Sequence, residues 1–289
     1  MPFRGSSESL GALQRRLAAI ELGEGDSLLV VDNTPGPPRD GALHAPEIAT
    51  PAYARNRGAA EGAAEWLVFI DSDATPRPDL LDRYFSPAPS ERTGLIGGGV
   101  RDEEADPGAS IVTRYAYLRG AMSQDDTFDF GEWGYPKTAN VACRRAAFDE
   151  VGGFRQEARA AEDADLTYRL RAAGWEVERR EDAAVVHASR TTLRGFLKQK
   201  AVWGAGGAWL HTIYPGSVSL VGRAGFARWA LRAGLGGLAD AARRRDRDAA
   251  IMAVLRPLEG LAWEFGRRLL PNLRPVPDSS PWKRLGLIR

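Results

Sequence analysis

The sequence predicts an α/β protein in which a mainly parallel sheet is flanked by helices and followed by a C-terminal helical extension. Three observations carry this expectation. Trp66-Leu67-Val68-Phe69-Ile70 is an unbroken apolar run rich in β-branched and aromatic residues, as in a strand buried on both faces of a parallel sheet. Helical and strand patterns alternate around it. Basic residues then gather at the C-terminal end, with 14 basic against 6 acidic side chains from Arg223 to Arg289, leaving residues 1 to 222 with a net charge of about −7.

The elements follow in order. Ser6 to Ile20 places Leu10, Leu13, Leu17 and Ile20 on one helical stripe, and Gly23 and Gly25 end it. Ser27 to Val31 reads as a strand that ends in Asp32-Asn33-Thr34, before a Pro/Gly-rich loop from Pro35 to Gly41. An Ala-rich helix around Tyr53 to Glu65 precedes the strand 66 to 70, so that Asp32 and Asp71/Asp73 fall on one sheet edge. Gly94 to Val100 reads as a short strand whose glycines admit close approach by a ligand or another backbone. It matches no P-loop, and no GxGxxG stands at a strand-to-helix junction. From Glu162, the stripe Leu166, Leu170, Ala173 and the stop at Gly174 predict a three-turn helix that opens with acids. Ala183 to Val186 is a short apolar strand ending at His187. Turn formers at Pro215-Gly216 divide residues 1–215 from a helical tail, 216–289. In that tail Phe226, Trp229, Leu231, Leu235 and Leu238, then Ile251 to Phe265 with Pro257 interrupting, suggest two or three amphipathic helices.

Composition narrows the classes. With 289 residues, 44% of them hydrophobic, and 39 basic against 38 acidic side chains, the chain suits one large domain with an appendage. Its single cysteine, Cys143, excludes an intramolecular disulfide and a cysteine metal cluster, and suits the reducing cytoplasm. No apolar run approaches the roughly 20 residues of a membrane-spanning helix, and Met1-Pro2-Phe3-Arg4-Gly5 lacks a signal-peptide pattern, so a cytoplasmic protein is expected. The basic excess of the tail carries no nucleic-acid motif, and no nucleic-acid partner is expected.

Asp71 and Asp73 stand two apart at a strand end and point the same way if the chain stays extended, so together they can hold a divalent cation, and through it a diphosphate. The same residues also read as a turn cap and a solvated neighbour. Glu162, Asp163 and Asp165 are acids that a helix dipole favours by about 0.3–1 kcal/mol each without any chemistry. A carboxylate there can equally be aimed at a substrate hydroxyl as a general base. His187 reads either as a neutral imidazole completing a Mn²⁺ shell or as a hydrogen-bonded structural residue.

Taken together, Ala54-Arg55-Asn56-Arg57-Gly58, Trp66 to Asp73, Thr138-Ala139-Asn140-Val141-Ala142-Cys143-Arg144-Arg145 leading to Val151-Gly152-Gly153-Phe154, and Glu162-Asp163 with Arg169 and Gly174 resemble the motif series of family 2 glycosyltransferases over roughly residues 2 to 212. The resemblance implies a GT-A fold in residues 1–215, a nucleotide-diphosphate sugar donor, Mg²⁺ or Mn²⁺, and inversion at the anomeric carbon. It implies that Asp32 contacts the nucleotide base, that Arg55 touches the nucleotide, and that Asp71 lies nearer the ribose while Asp73 holds the metal. His187 resembles a histidine near metal or diphosphate. Asp163 corresponds to the catalytic base, Glu162 supports acceptor placement, and Asn140 with Gly153 and Phe154 shape the acceptor side. Lys198-Gln199-Lys200 and Trp203 resemble the QxxRW element of processive relatives, but Val202 replaces its arginine, which argues against polymer extrusion and leaves the lysines to meet the diphosphate.

Two other functions use the same parts. A nucleotidyltransferase also sets paired acids and metal on an α/β sheet, and a decayed scaffold would bind sugar nucleotides without turnover. The arginine-bearing tail, 223–289, either packs on the catalytic domain or docks on an anionic membrane surface, the inner face of the cell membrane, where a glycan or lipid-linked acceptor would be met. Relatives begin with a full buried strand before the position of Pro2-Phe3-Arg4-Gly5, and the expectation is a true start upstream of Met1.

Overall fold

A computed structural model describes residues 1–274. Eight strands, β1 (Pro2–Phe3), β2 (Val31–Asp32), β3 (Leu43–His44), β4 (Trp66–Ile70), β5 (Ala74–Pro76), β6 (Thr93–Asp102), β7 (Asn140–Arg144) and β8 (Glu176–His187), form two sheets. The first is parallel, in the order β1-β2-β3. The second has the order β4-β7-β6-β8-β5, with β6 and β8 parallel and the other pairs antiparallel. Helices α1 (Ser7–Leu17), α2 (Pro51–Ala59), α3 (Leu80–Phe85), α4 (Ile111–Arg119), α5 (Asp125–Phe128), α6 (Arg145–Glu150) and α7 (Glu162–Ala172) lie among them. After β8 the chain is helical: α8 (Leu193–Ile213), α9 (Arg223–Leu231), a π turn at Arg232–Gly236, α10 (Gly237–Arg244) and α11 (Arg247–Leu269).

β7, in the middle, and β5, at the edge, make the second sheet mixed. Alternating residues of β7 face opposite ways, Val141 and Cys143 toward Phe69, Leu95, Phe148, Phe154, Leu166 and Leu170, and Ala142 toward Ile70, Leu80, Tyr84, Ile96 and Val185. The sheet therefore has a core on each side. β4 occupies the expected residues, yet it is antiparallel to β7 and only half-buried over Trp66–Val68, rather than buried in a parallel ladder. The Arg144 guanidinium covers the Trp66 ring at 4.5 Å.

Three other expectations change. The ladder of β2 begins at Val31, not Ser27. α2 stops at Ala59, where Arg145 donates to the Ala59 carbonyl at 2.8 Å and so ends the helix well before Glu65. α11 runs through Pro257 without a break. The backbone N–H that proline lacks leaves the Ala253 carbonyl without its helical partner; Gly234 of the π turn packs beside Ala253 and Pro257, and Gly237 at the start of α10 packs beside Ala253.

The tail folds back on the rest. Ile251 and Leu255 of α11 share a core with Val112, Tyr115 and Phe196, and Arg114 makes a two-pronged pair with Asp248. Gly204 of α8 and Gly266 of α11 sit where any Cβ would strike the facing helix backbone, so the two helices touch main chain to main chain. The α9–α10 segment is less covered: Leu231 and Leu235 are 61% and 68% exposed. Residues 275–289, part of the expected membrane-facing tail, lie outside the described residues.

Candidate active site

β4 ends at Ile70, and Asp71 turns out of the sheet with its backbone N–H held by the Ala139 carbonyl at 3.2 Å. One Asp71 oxygen accepts from Arg55 at 2.6 Å, and the other guanidinium arm donates to Glu162 at 2.7 Å. Arg55 is thus a buried bridge from the strand-end acid to the helix-start acid. Its position is fixed from behind: the ring of Phe154 lies 5.6 Å from the guanidinium, and Asn56 clamps the Phe154 backbone through both amide groups. Burial opposes the charge of Arg55, and Asp71 and Glu162 outweigh it, so the guanidinium stays firmly protonated.

Asp73 has different company. His187 Nε2 lies 3.1 Å from one of its oxygens and Arg190 3.3 Å from the other. Burial works against the Asp73 charge, but His187 prevails and holds the carboxyl below its ordinary range, while the same contact raises His187. Asp71 moves the other way, because its burial exceeds the pull of Arg55. Ligand atoms of Asp71, Asp73 and His187 lie within 4.8 Å of one another, and the buried Nδ1 of His187 has no hydrogen-bond partner among the described residues. Two carboxylates and an imidazole are a donor set that suits Mg²⁺ or Mn²⁺.

On the far side of Arg55, α7 starts abruptly. Ala161 holds a left-handed conformation, φ +65°, immediately before Glu162 and Asp163. A non-glycine residue persists there only when its surroundings over-determine it. The turn aims Asp163 into a cavity of about 880 Å³, shared with Arg55, Asp71, Lys137 and Glu162. Burial and the neighbouring Glu162 charge push the Asp163 carboxyl up to about 7, against the opposing backbone N–H of Ala164. Lys137 on the same wall is lowered to about 8 by burial, with its ammonium given to the Ser123 carbonyl.

The remaining expected site residues are placed otherwise. Asn140 is fully buried, accepting from Tyr84 at 2.8 Å and donating to the carbonyls of Gly99 and Ala183, so it staples β7 to its neighbours and faces no acceptor. Gly153, at φ +68°, and Phe154 are packed against Phe148, and Phe154 supports Arg55 from the core instead of lining the cavity. Asp32 is buried with Arg39 on both oxygens at 2.6 Å, and Arg39 and Thr34 hold its carboxyl low in spite of burial. Lys200 is paired with Glu259 of α11 at 2.7 Å, with its ammonium over the Trp203 ring, so its charge is already answered. Arg39, Lys137 and Arg190 were not anticipated as site residues. Lys137, one of four lysines and the residue before Thr138-Ala139-Asn140, carried the only readable signal.

Comparison with known proteins identifies the family and the fold. The family model described as "Glycosyltransferase like family 2" matches residues 25–206. The "Pre-mycofactocin glycosyltransferase" of Mycobacterium tuberculosis is 31% identical over 177 residues, 60% of this chain and 37% of that protein. "Glycosyltransferase AglE" of Haloferax volcanii is 25% identical over 137 residues, 47% of this chain and 44% of that protein. The chain therefore spans less than half the length of these relatives. Among solved structures, a mannosyltransferase from Pyrobaculum calidifontis, in complex with GDP-Man and Mn²⁺, superposes with a TM-score of 0.54 at 17% identity, covering 93% of this chain and 81% of that one. That likeness is one of fold. With a family match over more than half its length and a GT-A-type mixed α/β architecture around these acids, the chain belongs to the glycosyltransferase-like family 2.

Proposed function

We propose that this chain is an inverting, metal-dependent glycosyltransferase that moves a sugar from a nucleotide-diphosphate sugar to a hydroxyl acceptor, a glycan or lipid-linked molecule of cell-surface synthesis. The observation that carries the reading is the Arg55 bridge, which fixes Asp71 and Glu162 on one rigid group beside Asp163. Catalysis is assigned to residues 1–215.

Each residue then has a distinct task. Asp163, half-protonated near neutral pH, is matched to taking a proton from an acceptor hydroxyl, and Ala161 with the α7 start keeps its carboxylate aimed. Glu162, held by Arg55, orients the acceptor. Asp71, Asp73 and His187 would hold Mg²⁺ or Mn²⁺, which when bound would offset the charge growing on the departing nucleoside diphosphate. Arg190, beside Asp73 on the loop after β8, supplies a further cation at that end. A single displacement, with base and leaving group on opposite sides of the sugar, inverts the anomeric carbon.

The deciding experiment incubates the chain with a panel of nucleotide sugars, Mn²⁺ and simple glycoside acceptors, with products read by NMR. Release of a nucleoside diphosphate with an inverted glycosidic bond is expected. Pyrophosphate release would instead identify a nucleotidyltransferase, and binding without any product an inactive scaffold.

For the tail we propose peripheral contact with an anionic membrane at the cytoplasmic face. Exposed Leu231, Leu235 and Leu238 flanked by Arg228, Arg232, Arg243 and Arg244 support it, each arginine adding about 1 kcal/mol near such a surface. No described helix is long and apolar enough to cross a membrane. Sedimentation with anionic vesicles at low salt is the check, and equal failure with neutral and anionic lipid at every salt concentration would end the idea.

A further inference from the structure

The cavity that receives Asp163 has two unlike halves. Near Asp163 it is polar and charged. Away from it, the wall carries Trp229 of α9 and Trp263 of α11 with Val218, Val221 and Phe226, while Trp203 of α8 packs nearer the acids, against the core of Ile70, Met122 and Ala139. This wall is built to expose aromatic faces. Gly260 lies under Trp229 and Phe226, where a Cβ would meet their rings at 2.8 and 3.0 Å, and Gly207 lies under Trp263 at 3.1 Å. Bulkier residues at these two glycines would push the rings into the cavity.

The two carboxylates on this wall are already committed, and the one buried hydroxyl without a partner among the described residues is that of Ser217. Glu259 takes Lys200 and the Tyr115 hydroxyl, and Glu264 takes Arg267 and Arg268. A purely hydrophilic glycan lying here would give up water for few hydrogen bonds, which costs free energy. The wall also runs outward without interruption. Trp229 is 37% exposed and Val221 52%, and the chain continues from Trp229 into the exposed Leu231 and Leu235.

Resting on the proposed glycosyl transfer, we infer that the acceptor is an amphiphile, a hydroxyl-bearing head carried on an apolar chain. The head reaches Asp163, and the chain lies along Trp203, Trp263 and Trp229 and leaves toward the exposed leucines of the α9–α10 segment. A headgroup alone would use the polar half of the cavity and leave the aromatic half to water.

The test is a chain-length series of β-glucosides, methyl, butyl, hexyl and octyl, each below its micellar concentration. Their binding to the full chain is measured by calorimetry in the presence of Mn²⁺ and a nucleoside diphosphate. Affinity is expected to rise about fourfold per added methylene over the length of the wall, the ratio for burying one CH₂. Trp229→Ala should flatten the rise while Trp229→Leu keeps most of it, with circular dichroism verifying that both are folded. A flat series in the wild type, or a slope unchanged in Trp229→Ala, overturns the inference. The slope is a binding measurement, so it stands apart from turnover: equal transfer to methyl and octyl glucosides would sink the amphiphile and leave glycosyl transfer intact. A clear slope with no transfer to any acceptor from any donor would sink glycosyl transfer and, with it, the assignment of this wall to an acceptor.

Discussion

Asp73, from the acid pair after β4, and Asp163, from the pair at the start of α7, are linked through Asp71, Arg55 and Glu162 and yet shift in opposite directions. Asp73 sits against His187 and Arg190 and is held ionised. Asp163 has burial and a like charge beside it, and rises to about 7. One side chain chemistry therefore yields a fixed anion in one place and a titrating base in the other, and environment alone makes the difference. What the contrast teaches is that charge-bearing neighbours, more than motif membership, divide the roles.

The largest effect should come from the base. Asp163→Asn is expected to lower kcat by about 10²- to 10⁴-fold with donor affinity changed less than twofold, measured by steady-state rates and calorimetry. In the wild type kcat/KM should climb as pH rises through about 7, because the active form has lost its proton, and that limb should vanish from any residual activity of the variant. Wild-type levels of transfer by Asp163→Asn would dissolve the contrast. The next effect tests the joint. Arg55→Met leaves buried Glu162 and half-buried Asp71 without their cation, and should lower stability by about 2–4 kcal/mol in urea unfolding. A loss under 1 kcal/mol would mean that the two acid pairs are independent. Smallest is Asp73→Ala, expected to weaken Mn²⁺-dependent donor binding about 10- to 100-fold while metal-free nucleotide binding holds. An unchanged metal requirement would move the cation elsewhere.

The two pairs were not equally legible in the sequence. Trp66–Ile70 and Glu162–Ala172 announced themselves, because an apolar run and a 3.6-residue stripe are local signals that the finished fold did not override. The order β4-β7-β6-β8-β5 was not legible, since antiparallel β7 enters from seventy residues away and pairing at that distance leaves no periodic trace. Asn140 shows the limit most plainly. Whether an amide at a strand start faces a ligand or the neighbouring strands depends here on Gly98, whose missing side chain lets Asn140 lie against β6 and β8. The Arg39 partner of Asp32 was equally unreadable, because Arg39 reaches it only after the Pro/Gly loop has closed. Pro257 was read by its usual effect on a lone helix, and the packed π-turn segment against α11 absorbed that effect.

Arg55 has one further consequence. A guanidinium shared by two carboxylates is a reciprocal link: any ligand that draws the negative charge of Asp71 to itself frees Arg55 to hold Glu162 more tightly, and any ligand engaging Glu162 returns that hold to Asp71. The hold on Asp71 and the hold on Glu162 are thus correlated through a single side chain. On the proposed roles, filling the nucleotide end changes the hold on the acceptor end, and the acceptor changes the nucleotide end by the same free energy.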